Sequence, residues 1–393
     1  MHSDHRLLNR LSRRAFLRST VSVAALGQLR SVAGSTILLK RNAFAYVACG
    51  QTMGGGDGSL QVFSLHGGHW TAIQQVPTRA PACVVLSPDQ QTLYVANEVG
   101  THDGLPRGTV DAFRIDPSDS RLRLLGRQAL SLAATYPRQM ALSPDGRLLA
   151  VAADGGAIYN LLPVSTDGSL DRPCGIFKQL GCGLRTRLRT DAHPHRLLFD
   201  STGKHLLSSG FGSGDMSTFV VAQSAVSRRM QQRTVEIDHF GVCALHPDGS
   251  IFYALHKAGG SLSCSRYDSA SGTVGETIER ISMPTYGSDF ALEALAIHPS
   301  GRMLYTAETT HSRLQAWHIH PQDGHLSQAK HIELNGASGN EMVVASNGES
   351  LFILDRLRGL IHRIAVDNAT GEPGFVGEAA MIPGAQSMVF KTL

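Results

Sequence analysis

The chain has 393 residues, 42% of them hydrophobic and 17% charged, with 36 Lys+Arg against 32 Asp+Glu for a net charge of +4. That composition allows a large buried core. Six Arg and one Asp lie within residues 1–34, so the remainder holds 30 basic and 31 acidic residues, net −1, which excludes a basic footprint for nucleic acid.

The first predicted element is an export signal. Arg13 and Arg14, within SRRAFLRS (12–19), precede the apolar stretch TVSVAALGQL (20–29) and the small residues of SVAGS (31–35). This is the layout of a twin-arginine signal, with cleavage expected after Ala33 or Gly34. The stretch is too short to stay in a bilayer as a spanning helix, and no later segment is apolar enough to do so. Residues 1–34 are read as the signal and residues 35–393 as one domain, exported to the periplasm or beyond. No linker or low-complexity stretch divides it.

The next units repeat. AFAYVACG (43–50) and SLQVFSL (59–65) form a first pair of strand-like segments. Six copies of one phrase follow: LSPDQQTLYVANE (86–98), LSPDGRLLAVAAD (142–154), FDSTGKHLLSSGF (199–211), LHPDGSIFYALHK (245–257), IHPSGRMLYTAET (297–309) and ASNGESLFILDRL (345–357). Each copy is an apolar run, a turn of Pro, Asp, Asn or Gly, and a second apolar run. A third β-like segment usually follows, as in GTVDAFRID (108–116) and RLQAWHIHP (313–321). The turns near Asp89, Asp145, Thr202, Asp248, Ser300 and Asn347 are spaced by 56, 57, 46, 52 and 47 residues. A repeat of that length, with strand alternation and no helical period, predicts an all-β, seven-bladed propeller of four-stranded antiparallel blades. The lone C-terminal segment SMVFKTL (387–393) is expected to complete the first blade and close the ring.

The six cysteines show no CxxC or zinc-like His/Cys spacing. Cys83 and Cys243 sit in apolar runs and read as buried hydrophobes. Cys174 and Cys182 share one Gly-rich connection, where a disulfide is open in an oxidising compartment. GGGDG (54–58) lacks the Lys-Ser/Thr of a phosphate loop, and there is no GxSxG nucleophile elbow. No cofactor is called for.

The SPDG phrase with its apolar run, VANE (95–98), AYVACG (45–50) and DAHPHRLLFDSTGKHLL (191–207) together resemble the seven-bladed propeller lactonases. That family includes bacterial 6-phosphogluconolactonases and fungal carboxymuconate cyclases. The resemblance runs from about residue 40 to the C-terminus. It implies a ligand cleft on one face of the ring near the central channel. It also implies roles for His193 and His195, which match a His-x-His pair ahead of the fourth turn, and for Asn97 and Glu98, which match an Asn-Glu pair. Several family positions read differently here: Gly241-Val242 and His256-Lys257 in the fifth unit, Glu308-Thr309 in the sixth, Ala153-Asp154 in the third. Asn340-Glu341 opens the seventh unit where an arginine is common.

Lactone opening needs a base to deprotonate water, a donor for the oxyanion and an acid for the leaving oxygen. His195, with His193 beside it, is the candidate base. Glu98 is a second acid or base, or a partner for a neighbouring Arg or His. Arg138, in YPRQMALSPDG, is the candidate oxyanion or carboxylate anchor. Asn97, Asp154, His256, Lys257 and Glu293 are candidate substrate-binding residues. No metal site is assigned, because His193-x-His195 lacks a third ligand.

The expected function is hydrolysis of a sugar lactone, unphosphorylated if the protein is exported. A non-catalytic binding or scaffold propeller is the alternative, and a cycloisomerase of a carboxymuconate-type acid is the third. The expected partner is a small lactone or sugar acid, and the expected state is a monomer.

Overall fold

The computed structural model describes residues 43–50, 58–178, 193–211, 215–222, 225–234, 240–256, 260–283, 292–308, 312–334, 339 and 341–392. Residues 1–34, Cys182 and Lys257 lie outside the described residues. Among those described there are only strands and turns, 28 strands in seven four-stranded antiparallel sheets.

Blade 1 holds β1 (Ala43–Cys49), β2 (Ser59–His66) and β3 (His69–Pro77), and blade 2 holds β4 (Pro81–Leu86), β5 (Thr92–Asn97), β6 (Thr109–Ile115) and β7 (Leu122–Ala129). Blade 3 is β8 (Thr135–Leu142), β9 (Leu148–Gly155), β10 (Ile158–Pro163) and β11 (Gly175–Lys178). Blade 4 is β12 (His193–Phe199), β13 (His205–Phe211), β14 (Asp215–Ala222) and β15 (Ala225–Thr234). Blade 5 is β16 (Phe240–Leu245), β17 (Ile251–His256), β18 (Ser261–Asp268) and β19 (Thr273–Ser282). Blade 6 is β20 (Leu292–Ile297), β21 (Met303–Glu308), β22 (Arg313–Ile319) and β23 (Leu326–Glu333). Blade 7 is β24 (Glu341–Val344), β25 (Ser350–Asp355), β26 (Leu360–Val366) and β27 (Pro373–Met381). The last strand, β28 (Ala385–Thr392), returns to pair antiparallel with β1 and supplies the innermost strand of blade 1, as expected.

Each repeated phrase becomes the hairpin between the first and second strands of a blade. Its turn ends on a residue in the left-handed region: Gln90, Gly146, Gly203, Gly249, Gly301 and Gly348, with φ from 57° to 76°. Each of these donates its N–H to the carbonyl three residues back, as Gly301 does to His298 at 2.8 Å. Glycine takes that conformation without strain, which is why five of the six turns use it.

Among the described residues the second strands are buried on both faces, so they read as mainly apolar runs, with a buried Thr306 in β21 and Ser208 and Ser209 in β13 among the exceptions. Its side chains meet the neighbouring blades in seven apolar clusters, one at every junction, including that between blades 7 and 1. Buried tyrosines staple these junctions. Tyr46, Tyr94, Tyr253 and Tyr305 each donate to a backbone carbonyl in the outer hairpin of the next blade, at Ser120, Gly168, Gly324 and Gly371.

The cysteines separate by environment. Cys49, Cys243 and Cys264 are buried free thiols, and Cys174 is a free thiol at the surface. Cys83 departs from the sequence reading: it is only partly buried and faces the channel, because it sits on an innermost strand.

Candidate functional site

The innermost strands β28, β4, β8, β12, β16, β20 and β24 contact one another in ring order and surround a central channel with a cavity of about 640 Å³. Register sorts its lining into layers. Counting back seven positions from the left-handed turn residues gives Cys83, Gln139, Arg196, Val242, Ala294 and Glu341. Ser387 takes the matching place on β28, opposite Ala48. All seven residues line the cavity. Two positions further along, the same faces present Val85, Ala141, Leu198, Ala244, Ala296, Val343 and Val389, an apolar floor.

Immediately before this layer the strands bulge. The extra residue is Ala82 on β4, Arg138 on β8, His195 on β12, Glu293 on β20 and Gln386 on β28. A bulge breaks the alternation and re-aims a side chain, and Arg138 lines the channel mouth from this position. Three residues chosen from sequence, Arg138, His195 and Glu293, thus occupy one backbone position on three different blades. The side chains of His193, His195 and Glu293 lie outside the described residues.

Arg138 is clamped between two carboxylates. Its Nε donates to Glu98 Oε1 at 2.6 Å and lies 3.3 Å from Asp154 Oδ2. Glu98 follows the end of β5 and Asp154 lies near the end of β9, so blades 2 and 3 both hold this one guanidinium. Burial works against the Arg138 charge, but the hydrogen bond and charge of Glu98, with Asp154, outweigh it and raise its pKa above the ordinary value. The structure therefore brings together Glu98, Arg138 and Asp154.

Asn97 and His256 are placed elsewhere. Asn97 is fully buried, with Nδ2 donating to Thr109 Oγ1 at 3.1 Å. His256, at the end of β17, is buried with Nε2 2.8 Å from Ser263 Oγ on the adjacent strand. Both lie in second strands, whose side chains pack between sheets.

A second polar group at the channel was not among the sequence candidates. Glu341 opens β24. Its Oε1 accepts from Ser387 Oγ at 3.0 Å and from the Met388 N–H at 3.4 Å, while Arg356 Nη2 stands 3.4 Å from Oε2. Burial raises the Glu341 pKa, and Arg356, Ser387, the Met388 N–H and Arg196 only partly offset it. Cys83, facing the same layer, is pushed up to about 12 by burial and then by the Glu341 charge, so its thiol stays protonated. The available signal was positional: counting back from the turn residues finds Arg196 and Glu341 without any motif. No group of three or more His, Cys, Asp or Glu among the described residues is arranged to hold a metal.

Comparison with known proteins agrees with this architecture. The family model described as lactonase, 7-bladed beta-propeller, matches residues 45–390. No curated protein matches by sequence. Among solved structures, the periplasmic gluconolactonase of Pseudomonas aeruginosa is similar at TM-score 0.74 and 19% identity, over 88% of this chain and 99% of that one. A putative 6-phosphogluconolactonase from Bacteroides uniformis gives TM-score 0.76 and 18% identity, over 90% and 100% of the two chains. One from Bacteroides fragilis gives 0.74 and 18%, over 90% and 98%. At these identities the structures bear on the fold, while the family match spans nearly all of the described chain. The chain belongs to the seven-bladed β-propeller lactonase family.

Proposed function

We propose that the protein opens a sugar lactone by hydrolysis at the polar mouth of its central channel. One observation carries this: a single end of the channel gathers arginines and carboxylates from separate blades above an apolar floor. A cyclic ester fits such a place, with its ring atoms over the apolar layer and its carbonyl against a cation. Arg138, fixed by Glu98 and Asp154, presents a preorganised guanidinium. Arg196 adds a second cation and has no carboxylate partner among the described residues. His195 shares the bulge position of Arg138 on the next blade, and we place it as a substrate-binding donor.

The charge balance favours an unphosphorylated substrate. Arg138, Arg196 and Arg356 face Glu98, Asp154 and Glu341, so the described mouth offers no excess of positive charge for a phosphate dianion. An aldonolactone meets this requirement. Export by the Arg13-Arg14 signal to the periplasm belongs to the same proposal, and a periplasmic gluconolactonase among the similar structures supports it.

The test is pH-stat hydrolysis of glucono-δ-lactone and a panel of small lactones by residues 35–393, with spontaneous opening subtracted. A rate above background that falls about 10²–10³-fold in Arg138→Met is expected, the range for loss of one oxyanion donor. His195→Ala is expected to lose the rate with thermal stability nearly unchanged. No excess rate on any lactone would favour a binding propeller.

A further inference from the structure

We propose that Glu341 is the general base that activates the attacking water, with Ser387 and Arg356 holding it in position. This rests on the lactone-hydrolysing reading above.

Glu341 is the one carboxylate in the seven-residue layer, and its place is set by the first residue of β24. Only one of its oxygens is tightly engaged. Oε1 accepts two hydrogen bonds, from Ser387 Oγ at 3.0 Å and the Met388 N–H at 3.4 Å, while Oε2 meets only Arg356 Nη2, at 3.4 Å, among the described residues. An oxygen so placed keeps a lone pair for a channel water. Glu98 and Asp154 are the poorer candidates, since both are spent on Arg138.

Ser387 orients rather than attacks. It is buried, and its Oγ also accepts from the Val84 N–H at 3.4 Å. Arg356 is anchored separately, its Nε donating to the Gln386 carbonyl at 2.9 Å. Burial places the Glu341 proton affinity above that of an ordinary carboxylate, closer to what a base working near neutrality needs. The charged or titratable groups that face it are Arg356, Arg196 across the channel and the protonated Cys83 thiol.

The step balances simply. Glu341 takes one proton from water as the water oxygen bonds to the lactone carbonyl carbon. The tetrahedral oxyanion is met by the guanidinium groups of Arg138 and Arg196, which both line the cavity. The ring carbon–oxygen bond then breaks, and the leaving oxygen takes the proton held by Glu341. The product is the open hydroxy acid, which ionises to solvent.

The experiment compares pH–rate profiles of kcat/KM for wild type, Glu341→Gln and Arg356→Met on glucono-δ-lactone, with thermal unfolding of each. Glu341→Gln should stay folded and lose about 10²–10⁴-fold in rate. Arg356→Met removes a cation beside the carboxylate, so the acid limb should move to higher pH, which a purely structural role would not do. Wild type active with Glu341→Gln equally active, or an acid limb unmoved in Arg356→Met, overturns the assignment and leaves the lactonase reading standing. Wild type without lactone turnover overturns both.

Discussion

The Glu98–Arg138–Asp154 cluster shows how a long side chain is made rigid. Two carboxylates from different blades fix one guanidinium, and removing either leaves Arg138 freer to swing. Glu98→Gln is therefore expected to raise KM several-fold with a smaller change in kcat, measured on the same lactone panel. At Glu341 the balance differs. Its folded pKa lies above the unfolded carboxylate value, so the folded state holds the proton more tightly. Stability is then fullest below the unfolded pKa and declines as pH rises through the window up to the folded pKa. Glu341→Gln removes that decline. Its melting temperature should exceed wild type at neutral pH and match it in acid, below the carboxylate range, as calorimetry at both pH values would show. A site residue that weakens the fold is what a stability–function trade-off looks like at one position.

At the scale of the strand and hairpin, most of the molecule could be read from the chain. The repeat of apolar run, turn and apolar run marks the first hairpin of six blades, because double-sided burial favours apolar residues and the turn admits few residue types. Its visibility depends on local chemistry, and that chemistry is the same in every blade. The site was less legible for the opposite reason. Its residues are single positions scattered over the innermost strands, each set by register and not by a motif. Arg138, Glu98 and Asp154 were within reach because they flank recognisable runs. Glu341, Arg196, Arg356 and Ser387 were not, because the layer joining them exists only once seven strands converge. Asn97 and His256 lie at the ends of second strands, where the alternation that points a side chain to a channel does not operate.

The tyrosine staples make a prediction at this scale. Tyr305 is fully buried and donates to the Gly371 carbonyl across the junction of blades 6 and 7. Tyr305→Phe leaves that carbonyl without this donor and should lower stability by about 1–3 kcal/mol. Denaturant unfolding would register it as a lower midpoint with an unchanged slope.

For the whole molecule the critical seam is the junction of blades 7 and 1. Phe352 of β25 stacks on Phe390 of β28 at 4.1 Å between ring centroids, and Trp70 of β3 packs edge-on against both at 6.0 Å. Aromatic rings here join the closing strand to both blades it must hold. Phe352 is 2% exposed. Phe352→Ala should therefore cost about 3–5 kcal/mol, and hydrogen exchange should rise first in β28 and β1. Exchange rising evenly across all blades would instead mean that the ring opens as one cooperative unit.

The β1–β28 pairing has a further consequence in time. Cys49 and Ala385 are ladder partners more than three hundred residues apart in sequence. At the ribosome's pace of roughly 5–20 residues per second, β1 must wait tens of seconds for its partner, its hydrogen-bonding edge exposed meanwhile. Ser387 arrives on that same late strand. A nascent propeller therefore has neither a sealed ring nor a finished channel layer until synthesis is nearly done, and chaperone protection of the first blade should govern its yield.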